Sequence, residues 1–416
     1  MDPSARKAFN ENFTAEKYDE LLSDINEGLQ TPIAFRVAET PIFLTDEFRD
    51  KLIAAGDDII DTILKSDFKL LTERAIPEKW RVPNENDHPH FIALDFGVCK
   101  DEKGNIVPKL IELQGFPSLY GFQVKQGNSY RDHFKLSDDW TMFFNGLDES
   151  SYIDLLKETI VGDCKPDEVV LMDVNAPEQK TSVDFYVTQK YLGIAVVSLA
   201  DLEQDGRRLF YTSNGEKTRI KRIYNRLIFD EIDKDPDVFD KVIDLRLPLD
   251  VEWITHPNWF YRISKFTMPF LKGDYIPKTQ FLHQVKEIQA DLENYVLKPL
   301  YSFAGQGVII DVKKSDIQQI TDPENWILQQ KVSYEPVVQA PDGGVKAEIR
   351  LLYLWPDGYQ KPVLAINLAR LSRGKMIGVR YNQNFDWVGG TIAFMRKKNQ
   401  ESKKNEPGVK DQEQKK

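Results

Sequence analysis

Residues 295–310 read YVLKPLYSFAGQGVII, and no other stretch of this 416-residue chain restricts its fold as much. An apolar run carries Lys298 and then Pro299; a small-residue loop with Gly305, Gln306 and Gly307 follows, and a second apolar run begins at once. A lysine inside an apolar strand is costly to bury unless an acceptor or an anion meets it. A loop of small residues leaves backbone N–H groups able to close over phosphate oxygens. Strand, lysine, glycine loop and strand therefore suit a nucleotide's phosphates, and the same residues also suit a plain hairpin turn with a solvated lysine.

The surroundings read as a mixed α/β chain. Phe48, Leu52, Ala55, Ile59 and Ile63 recur on one helical face, with Thr45 as the expected N-cap and Asp46 and Glu47 in the first turn. The strand-like runs 91–98 and 107–113 would pair across a turn at Gly104-Asn105. Residues 169–174, 182–192 and 194–199 read as strand, helix capped by Ser182, and strand, a small parallel α/β unit. Asp205-Gly206 and Asn214-Gly215 mark a hairpin, and 220–227 is strand-like. His256-Pro257-Asn258 reads as a loop, and 264–271 and 278–290 as helices. Beyond the opening segment, strands are expected at 307–312, 326–332, 347–354 and 363–371. From Arg396 onward eight basic and four acidic residues alternate without apolar periodicity, which predicts a disordered tail.

Composition narrows the function. The net charge of −11 lacks the basic footprint of a nucleic-acid binder or of a protein held at an anionic membrane. No apolar run approaches the roughly 18–20 residues needed to span a bilayer, and residues 1–13 have no secretory apolar core, so a cytoplasmic location is expected. Two cysteines cannot form a disulfide framework or a cysteine-rich zinc site. The phosphate-loop, dinucleotide-fingerprint, H-E-x-x-H and G-x-S-x-G motifs are absent, and His88 and His90 flank a proline as a solvated pair does.

Further polar residues follow the glycine loop in order. Gln330, Lys331 and Val332 end an apolar run, where backbone groups and an amide can face an adenine edge. Glu348 and Arg350 are two apart and so share a strand face. Arg370 and Arg380 come next, the latter in Arg380-Tyr381-Asn382 ahead of Gly389-Gly390. Arginines on adjacent strands form a surface ladder or, beside a phosphate loop, a clamp for a phosphoanhydride or acyl phosphate.

This set resembles the ATP-grasp ligases, and the glutathione synthetase pattern most. Lys265, Pro277-Lys278-Thr279, Lys298-Pro299, Gly305-Gln306-Gly307, Gln330-Lys331-Val332, Glu348-Ile349-Arg350, Ala369-Arg370, Arg380-Tyr381-Asn382 and Gly389-Gly390 follow that family's order. The family finishes with an aspartate strand and a Glu-x-Asn strand that hold magnesium. Here that shape lies near the N-terminus, in Ala93-Leu94-Asp95-Phe96 and in Leu110-Ile111-Glu112-Leu113-Gln114. The chain is thus similar to circularly permuted members, the glutathionylspermidine synthetases and eukaryotic-type glutathione synthetases. Gln114 stands where the family usually has asparagine, and Ala93 where glutathionylspermidine synthetases tend to carry arginine.

The resemblance implies an α/β (α+β) ATP-grasp fold, circularly permuted, with a small Rossmann-like α/β domain before the grasp. Residues 1–150 would hold an N-terminal helical segment and the permuted metal-binding strands, 165–262 the small domain, 263–395 the grasp and 396–416 the tail. It implies an ADP-forming carboxylate–amine ligase working through an acyl phosphate, with ATP and magnesium as cofactors. The alternative is a non-catalytic nucleotide-binding or regulatory protein. Asp95, Glu112 and Gln114 would hold metal; Lys265, Lys298, Gly305, Gln306, Gly307, Gln330, Lys331, Val332 and Glu348 would hold ATP; Arg350, Arg370, Arg380 and Asn382 would act in catalysis. The partners would be a small-molecule or short-peptide carboxylate and an amine acceptor. Arg226 remains open between a surface residue and a substrate clamp.

Overall fold

Phe91–Lys100 and Ile106–Gln114 form an antiparallel hairpin whose turn is tied by Asp101, which accepts from the backbone N–H groups of Lys103 and Asn105. The computed structural model describes residues 1–29, 32–232, 243–286, 291–302, 305–374, 377, 382 and 384–398. In it the hairpin joins the C-terminal strands. Phe91–Lys100 pairs antiparallel with Gly343–Leu354, with Asp95 opposite Arg350, and the sheet continues through Val363–Ser372 to Gly389–Thr391. Both central strands are buried along nearly their whole length, so they read as apolar runs interrupted only where a charge is held inside.

The first 45 residues, which no part of the resemblance covers, are tied to the same end of the chain. Asp2 and Thr14 cap the helices Pro3–Asn12 and Ala15–Asn26, and Thr45 caps Asp46–Ile63 as its sequence predicts. Ile42–Phe43 runs parallel to Ala393–Arg396. Gly390 donates its N–H to the Arg36 carbonyl at 2.8 Å, and a Cβ on Gly389 would stand 2.5 Å from that carbonyl oxygen. Gly389 also has φ +127°, so the Gly-Gly pair is the place where the N-terminal segment lies against the sheet edge.

A second, all-parallel sheet has the order Glu252–Ile254, Arg222–Asn225, Val169–Asp173, Ala195–Ser198, with helix Ser182–Leu192 as the crossover. Thr181, not Ser182, precedes that helix and makes no side-chain cap; the acidic group in its first turn is Asp184. The expected hairpin follows as a three-stranded meander, Glu203–Asp205, Arg208–Ser213 and Glu216–Ile220.

Several further readings are corrected. The expected loop at 256–258 opens the helix Pro257–Arg262, with proline at its first position and His256 as its cap. The segment 264–271 is a 3₁₀ turn, Lys265–Phe270. The helix expected over 278–290 is instead the strand Thr279–Phe281 and a short turn, Leu282–Gln284, with 287–290 outside the described residues. The strand expected at 307–312 reduces to one bridge, Leu297 with Ile309. The expected tail lies outside the described residues from 399, and Arg396 itself ends a strand with its guanidinium 4.2 Å from the Trp140 ring centroid. Among the described residues no helix is long and apolar enough to cross a membrane.

His256 gives the fold a titration that can be read out. Its Nδ1 accepts from the Asn258 N–H at 3.2 Å and its Nε2 lies 3.0 Å from the Pro83 carbonyl, so the neutral ring uses both nitrogens. Burial pushes the imidazole down to about 4. The unfolded chain, at about 6.5, therefore takes up the proton first. Stability from this group is complete above that value and falls as pH drops toward about 4, by about 1.4 kcal/mol per unit at most. Urea midpoints of wild type and His256→Asn should diverge in their pH dependence between about 6.5 and 4, the variant being flatter. Parallel profiles would remove His256 from the account.

Candidate functional site

Lys298 lies on the edge strand Tyr295–Pro299 of a small antiparallel sheet completed by Trp326–Gln330 and Thr279–Phe281. It is buried, and its ammonium donates at 2.9 Å to the carbonyl of Ile111, the residue before Glu112 in the N-terminal hairpin. Burial pushes this ammonium down to about 8, while Glu112, Glu348 and Asp95 pull it back up and Lys265 opposes them. Lys265 is buried too and donates to the Ser302 carbonyl. Gly305 and Gly307 have φ +72° and +73°, and the turn they make returns the chain so that Leu297 and Ile309 exchange both backbone bonds at 2.9 Å. Gly305, Gln306 and Gly307 are exposed.

The proposed adenine end lies farther along this sheet. Lys298 is opposite Ile327 and Tyr295 is opposite Gln330, three residues or about 10 Å away. That is the reach from a nucleotide's terminal phosphates to its base. Alternation puts the Gln330 side chain on the face opposite to Lys298 and leaves it exposed. The Lys331 N–H is engaged by the Asn294 carbonyl at 2.7 Å, and its ammonium reaches Asp311 and the Glu293 carbonyl. Val332, half-buried, follows directly. Gln329, which sequence reasoning passed over, is the glutamine that shares the Lys298 face; its amide points to the Leu110 carbonyl at 3.4 Å.

On the large sheet the charged residues form one network. Arg350 grips Asp95 with both arms of its fork, at 2.5 and 2.7 Å, across 255 residues of sequence. Arg370 reaches the same carboxylate at 2.6 Å and also binds Glu348. Tyr334 donates to the other oxygen of Glu348 at 3.0 Å. Room for that tyrosine comes from Gly97, where a Cβ would lie 2.7 Å from the ring; an isolated strand glycine is the one sequence signal that could have pointed to it. Burial works against the Asp95 charge, and the Arg350 and Arg370 guanidiniums outweigh it, holding the carboxyl below its usual range. Glu348 goes the other way: burial and the neighbouring carboxylates raise it despite Arg370. The buried Arg370 Nε has no acceptor.

Glu112 is opposite Asp95 in the hairpin and is half-buried, with the Gln114 amide donating to it at 2.8 Å. Glu112, Gln114, Phe116, Phe260, Tyr261, Lys265 and Ser302 line one small cavity. Asn382 is turned to the chain itself: its oxygen accepts from the Ser372 hydroxyl and the N–H groups of Arg373 and Gly374. Arg380 lies outside the described residues. Arg226 is not a surface group: it is buried against Asp184 at 2.6 Å. Among the described residues, the one trio of acidic or histidine groups with ligand atoms within 4.8 Å of each other is His90, Glu252 and Asp357. The Arg222 guanidinium already closes it, 2.7 Å from Asp357 and 3.1 Å from Glu252.

No protein-family model matches this chain, and no curated protein matches it in sequence. The architecture is nevertheless that of a known class, the glutathione synthetase-like fold. A solved structure of a glutathione synthetase-like effector from Globodera pallida, in its apo form, matches with a TM-score of 0.58 at 10% sequence identity. The match covers 95% of this chain and 98% of that one.

Proposed function

We propose that the chain is a permuted ATP-grasp protein that uses ATP to join a carboxylate to an amine. One observation carries this reading. The N-terminal hairpin anneals to Gly343–Leu354, so Asp95 meets Arg350 and Arg370, Glu348 shares Arg370, and Glu112 stands opposite Asp95, while the Lys298 ammonium rests on the hairpin carbonyl beside Glu112. The likeness to a glutathione synthetase-like effector supports the fold part of the reading.

In this reading Lys265 and Lys298 meet the phosphates, Gly305 and Gly307 let the flap close, and the 330–332 segment borders the base. The substrate carboxylate attacks the γ-phosphorus and ADP leaves; the amine then attacks the acyl carbon and phosphate leaves. Arg370, with a buried Nε donor lacking an acceptor, is suited to a phosphoryl oxygen. Magnesium takes oxygen ligands and keeps several waters, so a half-buried carboxylate with an amide beside it, Glu112 with Gln114, fits it. Asp95 does not fit as freely, since two guanidiniums already hold both its oxygens. When bound, the metal would neutralise charge on the transferring phosphoryl group.

A thermal-shift titration is the first test. Mg-ATP at about a hundred times its Kd should stabilise the fold by about 2.7 kcal/mol, a rise of several degrees in Tm. ADP should then appear only when a carboxylate and an amine are supplied together. No shift at millimolar nucleotide would end the nucleotide reading. A shift without ADP release across a broad carboxylate–amine library would leave a non-catalytic nucleotide-binding protein.

A further inference from the structure

Asp95 is the residue on which the expected metal set and the observed geometry disagree. Its side chain is almost fully buried, and its two oxygens accept three N–H groups, two from Arg350 and one from Arg370. A carboxylate has about four acceptor positions, so little of this one is left for a cation. Two fixed positive groups at hydrogen-bond distance would also repel a divalent ion brought to the same oxygens. The arginine it holds is the more accessible partner: Arg370 keeps 32% of its side chain exposed, against 1% for Asp95 and 5% for Glu348.

We infer that Asp95 is a positioning residue for Arg350 and Arg370, and that the metal of this site rests on the Glu112 and Gln114 side of the hairpin without it. The inference rests on the nucleotide reading above and gives one of its residues a different task. Asp95 and Glu348 both accept from the same terminal nitrogen of Arg370, pinning that end of the guanidinium and leaving its other N–H groups for a ligand. Arg350 is held fork to carboxylate, so it cannot swing toward a phosphate without breaking both bonds. The arginine free to serve an anion is then Arg370.

The test compares the magnesium advantage, the ratio of ADP affinity in magnesium to that in chelator, measured calorimetrically on the full chain. Glu112→Gln should lower the advantage by about tenfold or more. Asp95→Asn should weaken ADP under both conditions and leave the advantage within about twofold of wild type. An advantage erased by Asp95→Asn as thoroughly as by Glu112→Gln would overturn the assignment. Where Asp95→Asn does not fold, Asp95→Asn with Arg350→Gln removes both buried charges and carries the same comparison. A wild-type chain that binds no ADP would sink the nucleotide reading by itself. The positioning role is then decided by urea unfolding of Asp95→Asn, Arg370→Gln and the double variant. Losses that fall clearly short of additive support it, and additive losses overturn it.

Discussion

Lys298→Met is expected to lower ADP formation by about 100- to 1000-fold and to leave the melting temperature nearly unchanged. The two halves of this expectation come from the same burial. Lys298 sits inside the interface between the small sheet and the N-terminal hairpin, where desolvation pushes its ammonium down to about 8. It stays charged at neutral pH because Glu112, Glu348 and Asp95 surround it and because it donates to the Ile111 carbonyl. Its positive charge therefore costs the fold something that methionine, with a similar stem, does not. What methionine cannot supply is a point charge for phosphates in a low-dielectric cleft. The measurement is a rate of ADP release beside a thermal melt. A variant that melts like wild type and still turns over at more than a tenth of its rate would show that the lysine is only a packing residue.

Much of the architecture can be read in the sequence because local signals and tertiary contacts agree. The strands at 91–100, 106–114, 343–354 and 363–372 carry their own apolar patterns, and the helix Asp46–Ile63 has both its cap and its buried face. Disagreement arises where one partner does another's task. At 256–262 an imidazole does the capping usually done by serine or aspartate, so a helix reads as a loop. At 279–281 pairing with Trp326–Gln330 overrides a polar, helix-prone composition.

The candidate site divides in the same way. That Asp95 and Glu112 belong beside the C-terminal strands was legible in the sequence, because the 91–114 hairpin has the apolar-acidic shape of two strands that the end of the chain lacks, and it does pair with Gly343–Leu354. Which charges hold each other was not. The Arg350–Asp95 grip depends on a register set between strands 255 residues apart, and a shift of one residue would turn those side chains to opposite faces. The choice between Gln329 and Gln330 depends likewise on the parity of one strand against its neighbour.

Asp184→Ala should cost about 3–5 kcal/mol, the range for leaving a buried charge without its partner. Asp184 is fully buried in the first turn of Ser182–Leu192 and accepts four N–H groups. Three are the backbone groups of Leu119, Gly121 and Phe122, and the fourth comes from Arg226 at 2.6 Å. The helix Tyr120–Phe134 has no cap of its own, for Leu119 at its N-terminus has φ +66° and a side chain that cannot accept. Asp184 is thus a cap supplied from another helix, and Arg226 is the counter-charge that allows a carboxylate there. The consequence reaches the cleft, because the Arg226 guanidinium lies 5.3 Å from the Phe116 ring, which packs edge-on against Phe260 in the wall beside Glu112 and Gln114. Urea unfolding at neutral pH should show the loss, and Asp184→Ala with Arg226→Met should recover part of it, since the orphaned guanidinium is removed. A double variant no more stable than Asp184→Ala would mean that the orphaned backbone N–H groups, not the arginine, set the whole cost.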